Sequence, residues 1–182
     1  SSGITQAISQ SARAATLALF REARAAGVST AFDANFRPRL WTASEAREAL
    51  AEILPLTDYF FPSFEDAVAL SGSEDHDTIF RWAYGLGAQV VLLKLGAQGV
   101  KIGQGDGADV IQMASFVVDT VDATGAGDCF AGAAVARLVA GDALLDAVRY
   151  ANAAAALTTT GFGAIAAIPN RDAVKSFLLS RV

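Results

Sequence analysis

The chain has 182 residues, of which 53% are hydrophobic and 18% are charged, and its formal net charge is −5. This balance excludes a disordered chain, and the length suits one folded domain. Without a block of Lys or Arg, the acidic chain is a poor match to nucleic acid. No run reaches 18 apolar residues, so no membrane span is predicted. The chain has one cysteine and one histidine, which excludes an intrachain disulfide and a Cys/His metal site. No signal-peptide pattern is found, so we expect a cytoplasmic protein.

Helix and strand patterns alternate along the first half of the chain. Residues 1–5 resemble the end of a strand entering a helix. The elements predicted next are a helix over 11–26, a strand over 28–32, a helix through Ile53 capped by Thr42 or Ser44, a strand over 58–61, and a helix to Leu70 capped by Ser63. In the helix over 11–26, helical spacing predicts an apolar stripe made of Ala12, Ala15, Leu19, Ala23 and Ala26.

The second half continues the alternation. It predicts a helix over 77–86, a strand over 90–95, short strands over 100–102, 110–113 and 116–118 with a hairpin loop over 103–107, and helices over 126–140, 143–159 and 171–179. We therefore predict an α/β fold with a mainly parallel sheet that is covered by helices on both faces. The segment over 100–118 is expected to form an antiparallel edge.

Four polar or glycine-rich segments either come directly after a predicted strand or lie next to the end of a predicted helix. In open α/β sheets, ligands bind beyond the carboxyl ends of the strands, and we expect these segments to lie there together. They are Asp33–Arg37, Lys94–Gly99, Asp122–Asp128 and Gly161–Ala164.

The segment Asp122–Asp128 is the most specific of the four. Small residues over 124–127 lead directly into an alanine-rich helix, so backbone N–H groups at the positive helix end are open to an anion. Asp128 lies in the first turn of this helix. A carboxylate there can simply cap the helix, but beside an anion site it also suits a base that deprotonates a hydroxyl attacking phosphorus.

Other ligand motifs are absent or weak. No G-x-x-x-x-G-K-[ST] occurs, and the G-x-G-x-x-A match that starts at Gly161 follows a helix, which argues against a dinucleotide fingerprint. We expect His76 to be a solvated loop residue. Cys129 is better explained as a packing residue than as a nucleophile, although the helix N-terminus is expected to lower its pKa.

At this point the sequence resembles the ribokinase-like (PfkB) carbohydrate kinases. The run DATGAGDCFAGA over 122–133 is similar to the family's second signature, and KLGAQGV over 94–100, Asn152 and the loop over 161–169 match its C-terminal half in order. The run FDANFRPRLW over 32–41 is most similar to 2-keto-3-deoxygluconate kinases, with fructokinase-like members next. Two departures occur. Ala123 stands where the family usually has Thr or Ser, and Ser63-x-x-Asp66 replaces the N-x-x-E that helps to organise Mg²⁺ and phosphate in the family, which puts a metal role of these two residues in doubt.

The resemblance implies ATP-dependent phosphorylation of a sugar or sugar acid, with Mg²⁺ and K⁺ as ions. It implies that Asp128 is the catalytic base and that the backbone of Gly125, Ala126 and Gly127 stabilises the transferred phosphoryl group. Asp122 would help to hold the monovalent cation. Arg37 suits a substrate carboxylate, unless it pairs with Asp33 instead, and Asn35 and Asp128 complete the predicted substrate site. The predicted nucleotide-binding residues are Lys94, Gly96, Gly99, Thr124, Asn152, Gly161 and Gly163.

Family members are longer than this chain. We therefore expect residues 1–182 to be the C-terminal, nucleotide-binding part of a single sugar-kinase domain, without the N-terminal strands and the β lid. This piece alone is expected to be inactive, and the full-length protein is expected to form a homo-oligomer. A fructokinase-like enzyme, a non-catalytic nucleotide-binding protein with the kinase fold and a different Rossmann-like nucleotide enzyme remain as alternatives.

Overall fold

A computed structural model describes residues 1–105 and 109–181. Eight α-helices lie in these ranges: α1 Gly3–Ala7, α2 Gln10–Ala25, α3 Ala43–Ile53, α4 Phe64–Ser71, α5 His76–Gly85, α6 Ala126–Val139, α7 Leu144–Thr158 and α8 Arg171–Leu179. The strands are β1 Ala31–Asp33, β2 Tyr59–Phe61, β3 Val90–Lys94, β4 Val100–Gln104 and β5 Ile111–Met113. No helix in the described ranges is both long and apolar enough to cross a membrane.

The strands form one sheet in the order β1-β2-β3-β4-β5. β1 pairs with β2 in parallel, with Phe32 opposite Phe60, and β2 pairs with β3 in parallel, with Phe60 opposite Val91. Ser2 forms an isolated parallel bridge with Asp33, which confirms that the first residues run from an extended segment into a helix. β4 and β5 lie at the end of the strand order, which confirms the predicted edge position, while the predicted antiparallel direction stays a prediction.

The described chain divides into two compact units. The first comprises Ser1–Lys94 and Lys101–Ile111, and the second comprises Leu95–Val100 and the residues from Gln112 onward. In the first unit, three consecutive residues of β3 (91–93) have no exposed surface. Since successive strand side chains point to opposite faces, both faces of this strand are covered. This confirms the predicted cover on both faces of the sheet at β3, whereas the edge strand β5 is mostly exposed.

The cores of the two units differ in side-chain size. The first unit buries large side chains of its strands, among them Phe32, Phe60 and Phe61. In the second unit, α6 and α7 bury mainly small side chains, and one buried cluster consists of Cys129, Ala153, Ala154 and Val174, with Phe177 and Leu178 of α8 packed against it. Small residues allow the helix backbones to approach closely, which explains why this part of the sequence is so rich in alanine.

Three sequence predictions fail in detail. The buried face of α2 is Thr16, Leu17 and Phe20 rather than the alanine stripe, because Phe20 packs edge-to-face on Phe32 at a ring distance of 6.1 Å; Leu19 is exposed. The strand predicted over 28–32 begins only at Ala31. The N–H of Val28 donates to the Ala23 carbonyl, so Val28 belongs to the end of α2, and its side chain is exposed.

The third failure concerns residues 116–118, which form no strand. Phe116 instead packs edge-to-face on Phe177 of α8, at a ring distance of 5.3 Å. The predicted hairpin loop over 103–107 is described only through Gly105, with β4 extending to Gln104, and its remainder lies outside the described residues.

Candidate functional site

The glycine-rich turn, where the anion site is predicted, leads directly into the N-terminus of α6. Gly125 is the N-cap of α6 and adopts a left-handed backbone, with φ 79°. A Cβ on Gly125 would lie 2.8 Å from the carbonyl oxygen of Ala164, so both conformation and space require glycine. The Ala126 N–H donates to the Ala123 carbonyl at 3.2 Å, whereas the N–H of Gly127 lies at the helix end, where no earlier helical carbonyl is available.

Asp128 is exposed in the first turn of α6. Its neighbour Gly127 is exposed as well, so no side chain at that position shields the carboxylate. A carboxylate that is open to a ligand and close to the positive end of a helix fits the predicted base better than a buried helix cap does.

Asp122 connects two glycine-rich segments that are distant in sequence. Its Oδ1 accepts the N–H of Thr124 at 2.9 Å, and its Oδ2 accepts the N–H of Gly163 at 2.9 Å. Hydrogen bonds from the Thr124 side chain and from the backbone N–H groups of Gly163 and Thr124 lower the pKa of Asp122. The second unit therefore brings the predicted anion turn and the Gly161–Ala164 loop together, while the cation role of Asp122 stays a prediction.

The remaining predicted nucleotide residues of the second unit have clear local roles. Gly99 has φ 93°, and a Cβ there would lie 2.1 Å from the Met113 carbonyl oxygen. Gly96 also has a positive φ, of 57°, but open space around its Cα. Asn152 is 4% exposed, and its Nδ2 donates to the Ala114 carbonyl at 3.3 Å. Their contacts with a nucleotide stay predictions.

In the first unit, the carboxyl ends of β1, β2 and β3 gather a polar cluster. The Lys94 Nζ forms an ion pair with Asp33 Oδ2 at 2.6 Å, and Ser63 forms a parallel bridge with Lys94. Lys94 therefore belongs to the cluster around Asp33, and the predicted contact of its ammonium with phosphate is untested. Arg37 is exposed, and its Nη1 donates to the Phe36 carbonyl at 3.1 Å.

Asp66 belongs to the same cluster, and the sequence alone did not settle its role. The N–H of Asp66 donates to Ser63 Oγ at 3.0 Å, which confirms the predicted cap of α4. Its Oδ1 accepts the N–H of Phe36 at 3.2 Å. Burial raises the pKa of Asp66, which is 9% exposed. The only sequence signal for this residue was its place in the Ser63-x-x-Asp66 motif.

Two smaller expectations need correction. Cys129 packs in the core as predicted, but burial raises the pKa of its thiol instead of the helix end lowering it. His76 is half-buried at the start of α5, with its ring 5.3 Å from that of Phe64, and is not a solvated loop residue.

Comparison with known families decides the assignment. The family model described as "pfkB family carbohydrate kinase" matches residues 2–171. The chain belongs to this family. The turn before α6 and Asp128, which carried the resemblance, lie within the matched range. Membership confirms the ribokinase-like class of fold that the motifs predicted.

Relatives in the PfkB family differ in the sugar that their names specify. The chain is 37% identical over 169 residues to the 2-dehydro-3-deoxygalactonokinase of Haloferax volcanii, covering 92% of this chain and 52% of that protein. It is 32% identical over 179 residues to the 2-dehydro-3-deoxygluconokinase of Bacillus subtilis, covering 97% of this chain and 54% of that protein. Fructokinase-2 of Zea mays is also 32% identical, over 178 residues that cover 92% and 52% of the two chains. The chain thus spans about half the length of these relatives.

Solved structures of similar proteins have the same fold. Aminoimidazole riboside kinase from Salmonella enterica, complexed with aminoimidazole riboside and an ATP analog, is 31% identical and superposes with a TM-score of 0.89. That match covers 98% of this chain and 61% of the other chain. A structure described as ribokinase II from E. coli, in complex with ATP and Mg²⁺, is 29% identical with a TM-score of 0.87, covering 98% and 57%.

Metal-binding groups are scarce in the described part of the chain. Within residues 1–105 and 109–181, no group of three or more His, Cys, Asp and Glu residues is placed to hold a metal ion. Mg²⁺ commonly enters such chemistry bound to nucleotide phosphates, with one or two protein carboxylates and water completing its shell.

Proposed function

We propose that the protein containing this chain transfers the γ-phosphoryl group of ATP to a hydroxyl of a sugar acid of the 2-keto-3-deoxygluconate class. The observation that carries the proposal is the exposed Asp128 carboxylate in the first turn of α6, directly after the left-handed Gly125. Family membership supports the reaction class, and the names of two relatives support the sugar acid.

Asp128 acts as the general base in the proposed reaction. Its carboxylate takes the proton of the attacking hydroxyl while the new oxygen–phosphorus bond forms and the bond to the β-phosphate oxygen of ATP breaks, releasing ADP. The backbone of the Gly125–Gly127 turn and the positive end of α6 stabilise the charge on the transferred group, although the Ala126 N–H would first have to leave the Ala123 carbonyl to take part. Mg²⁺ is part of the nucleotide substrate, and its charge neutralises the phosphates.

Arg37 is the residue proposed to select an acid over a neutral sugar. The guanidinium is exposed, and the nearby Asp33 carboxylate is ion-paired with Lys94. A planar guanidinium can bind a carboxylate through two parallel hydrogen bonds, which fructose cannot accept in this way. This supports the sugar acid as substrate.

The nucleotide is proposed to lie against the second unit. Thr124, Gly161 and Gly163 belong to the two segments that Asp122 connects, and Gly96, Gly99 and Asn152 complete the proposed set. K⁺ is proposed to bind near Asp122, whose lowered pKa keeps the carboxylate anionic.

The test is the substitution Asp128→Asn in the full-length protein, with Asp146→Asn as the matched control. Asp146 is also an exposed acid in the first turn of a helix, α7, so its substitution removes the same helix–charge interaction. We expect Asp128→Asn to lower kcat by about 10² to 10⁴ and to leave the KM for ATP unchanged, because Asn cannot accept the proton. The control should keep normal kcat.

The substrate is tested separately with the unmodified full-length protein, by coupling ADP release to an absorbance change. We expect the highest kcat/KM with 2-keto-3-deoxygluconate or its galactonate epimer, and lower values with fructose and ribose. A preference for fructose would contradict the assignment of the acid but not of the kinase. A kcat of Asp128→Asn within a factor of a few of normal would exclude Asp128 as the base.

A further inference from the structure

The loop that carries Asn35 and Arg37 is held by two carboxylates. We define the substrate loop as Asp33–Arg37, which begins at the last residue of β1. Asp33 Oδ1 accepts the N–H of Asn35 at 3.1 Å, and Asp66 Oδ1 accepts the next N–H, that of Phe36, at 3.2 Å. Asn35 has φ 35°, an unusual value for a residue other than glycine, so this backbone needs external restraint.

Asp66 reaches the substrate loop from a separate element. It lies in the first turn of α4, thirty residues further along the chain, and its backbone is fixed by Ser63. Phe36, whose N–H it accepts, is buried. Loss of the Asp66 carboxyl would leave a buried N–H without its acceptor, which costs more than an exposed hydrogen bond is worth.

We propose that Asp66 is a positioning residue that holds the substrate loop so that Arg37 and Asn35 present their side chains to the sugar acid. This inference rests on the proposed function, and it gives Asp66 a task other than organising Mg²⁺. Asp66 is the acidic residue of the Ser63-x-x-Asp66 motif, and the structure shows that one of its oxygens serves the loop backbone.

The surroundings of Asp66 favour this task over metal binding. The carboxyl is nearly buried, and its Oδ1 already accepts the N–H of Phe36 at 3.2 Å, which leaves little of its surface for a hydrated magnesium ion. The positive charge of Lys94 nearby is already paired with Asp33 at 2.6 Å. In the described ranges, Asp66 is part of no cluster of three potential metal ligands.

The two roles make opposite predictions for Asp66→Asn. The amide oxygen of Asn can still accept the Phe36 N–H, whereas an amide is a much poorer magnesium ligand than a carboxylate. Asp66→Ala removes the acceptor altogether. Glu65→Ala is the matched control, because Glu65 is an exposed acid in the same first turn of α4.

The experiment measures KM and kcat of the full-length protein and the three variants with 2-keto-3-deoxygluconate and ATP, at several Mg²⁺ concentrations. Amide hydrogen exchange at Phe36 is measured in parallel and needs no activity. We expect Asp66→Ala to raise the KM for the sugar acid by about tenfold, with little change in the KM for ATP, and to accelerate exchange at Phe36. Asp66→Asn and Glu65→Ala should stay close to the unmodified protein in both measurements.

Each other outcome has a definite meaning. If Asp66→Asn is as defective as Asp66→Ala and added Mg²⁺ restores it, the carboxylate serves the metal and the inference is wrong. Equal rises of both KM values, or unchanged exchange at Phe36 in Asp66→Ala, would also overturn it. If the unmodified protein phosphorylates no sugar acid but Phe36 exchange responds as expected, Asp66 still fixes the loop and the proposed substrate is what fails.

Discussion

The substitution Gly125→Ala tests whether the turn before α6 is held in place by its surroundings. Gly125 has φ 79°, and a new Cβ would lie 2.8 Å from the carbonyl oxygen, 3.0 Å from the Cα and 3.1 Å from the Cβ of Ala164. The left-handed backbone costs an alanine about 1–2 kcal/mol. Overpacking against backbone atoms adds about 1–3 kcal/mol. We therefore expect Gly125→Ala to lower the free energy of unfolding by about 2–5 kcal/mol.

Two other glycines of the second unit separate these contributions. Gly163 also has a positive φ, of 85°, but no heavy atom lies within 4 Å of its added Cβ, so Gly163→Ala should show the backbone cost alone. Gly132 lies inside α6 with open space around it, and Gly132→Ala should stabilise by about 0.5–1 kcal/mol. The assay is urea unfolding of the full-length variants. If Gly125→Ala lowers the free energy of unfolding no more than Gly163→Ala does, the backbone at Ala164 moves aside without cost, and the argument from close contact is wrong.

Three further outcomes are expected. Arg37→Lys should raise the KM for the sugar acid about tenfold and leave the KM for ATP unchanged, since a point charge replaces a planar fork; equal changes would make Arg37 structural. Cys129 should react with a thiol reagent far more slowly in the native protein than in urea, because the thiol is buried and its pKa is raised; rapid native labelling would contradict this burial. Burial raises the pKa of Asp66 in the folded protein, so between about pH 3.9 and that raised pKa the folded state binds a proton that the unfolded state has lost. The free energy of unfolding should therefore fall as the pH rises through this range. Asp66→Asn should flatten this slope, measured by urea unfolding at several pH values.

The sequence predicted those parts of the fold that depend on local signals. Thr42 and Ser63 cap their helices as expected, because capping needs only a side chain and an N–H three residues later. The buried face of α2 was predicted wrongly because alanines gain little from burial, and the contact of Phe20 with Phe32 decided which face turns inward.

The candidate site also contains some features that the local sequence predicts and others that it does not. The exposed Asp128 and the left-handed Gly125 follow from neighbouring residues, which is why their motif was readable. The bond from Phe36 to Asp66 joins residues thirty positions apart, and the bond from Gly163 to Asp122 joins residues forty-one apart. No local pattern reports such pairs, since they exist only after the strands and helices have assembled.

The double hydrogen bond of Asp122 has a mechanical consequence for the second unit. One carboxylate accepts the N–H of Thr124 with one oxygen and the N–H of Gly163 with the other. A ligand that displaces the backbone at Thr124 or at Gly163 must therefore stretch or break a hydrogen bond to Asp122, which also holds the other backbone segment. The anion turn and the Gly161–Ala164 loop are thus joined through a single side chain, and we expect a ligand that orders one segment to order the other as well.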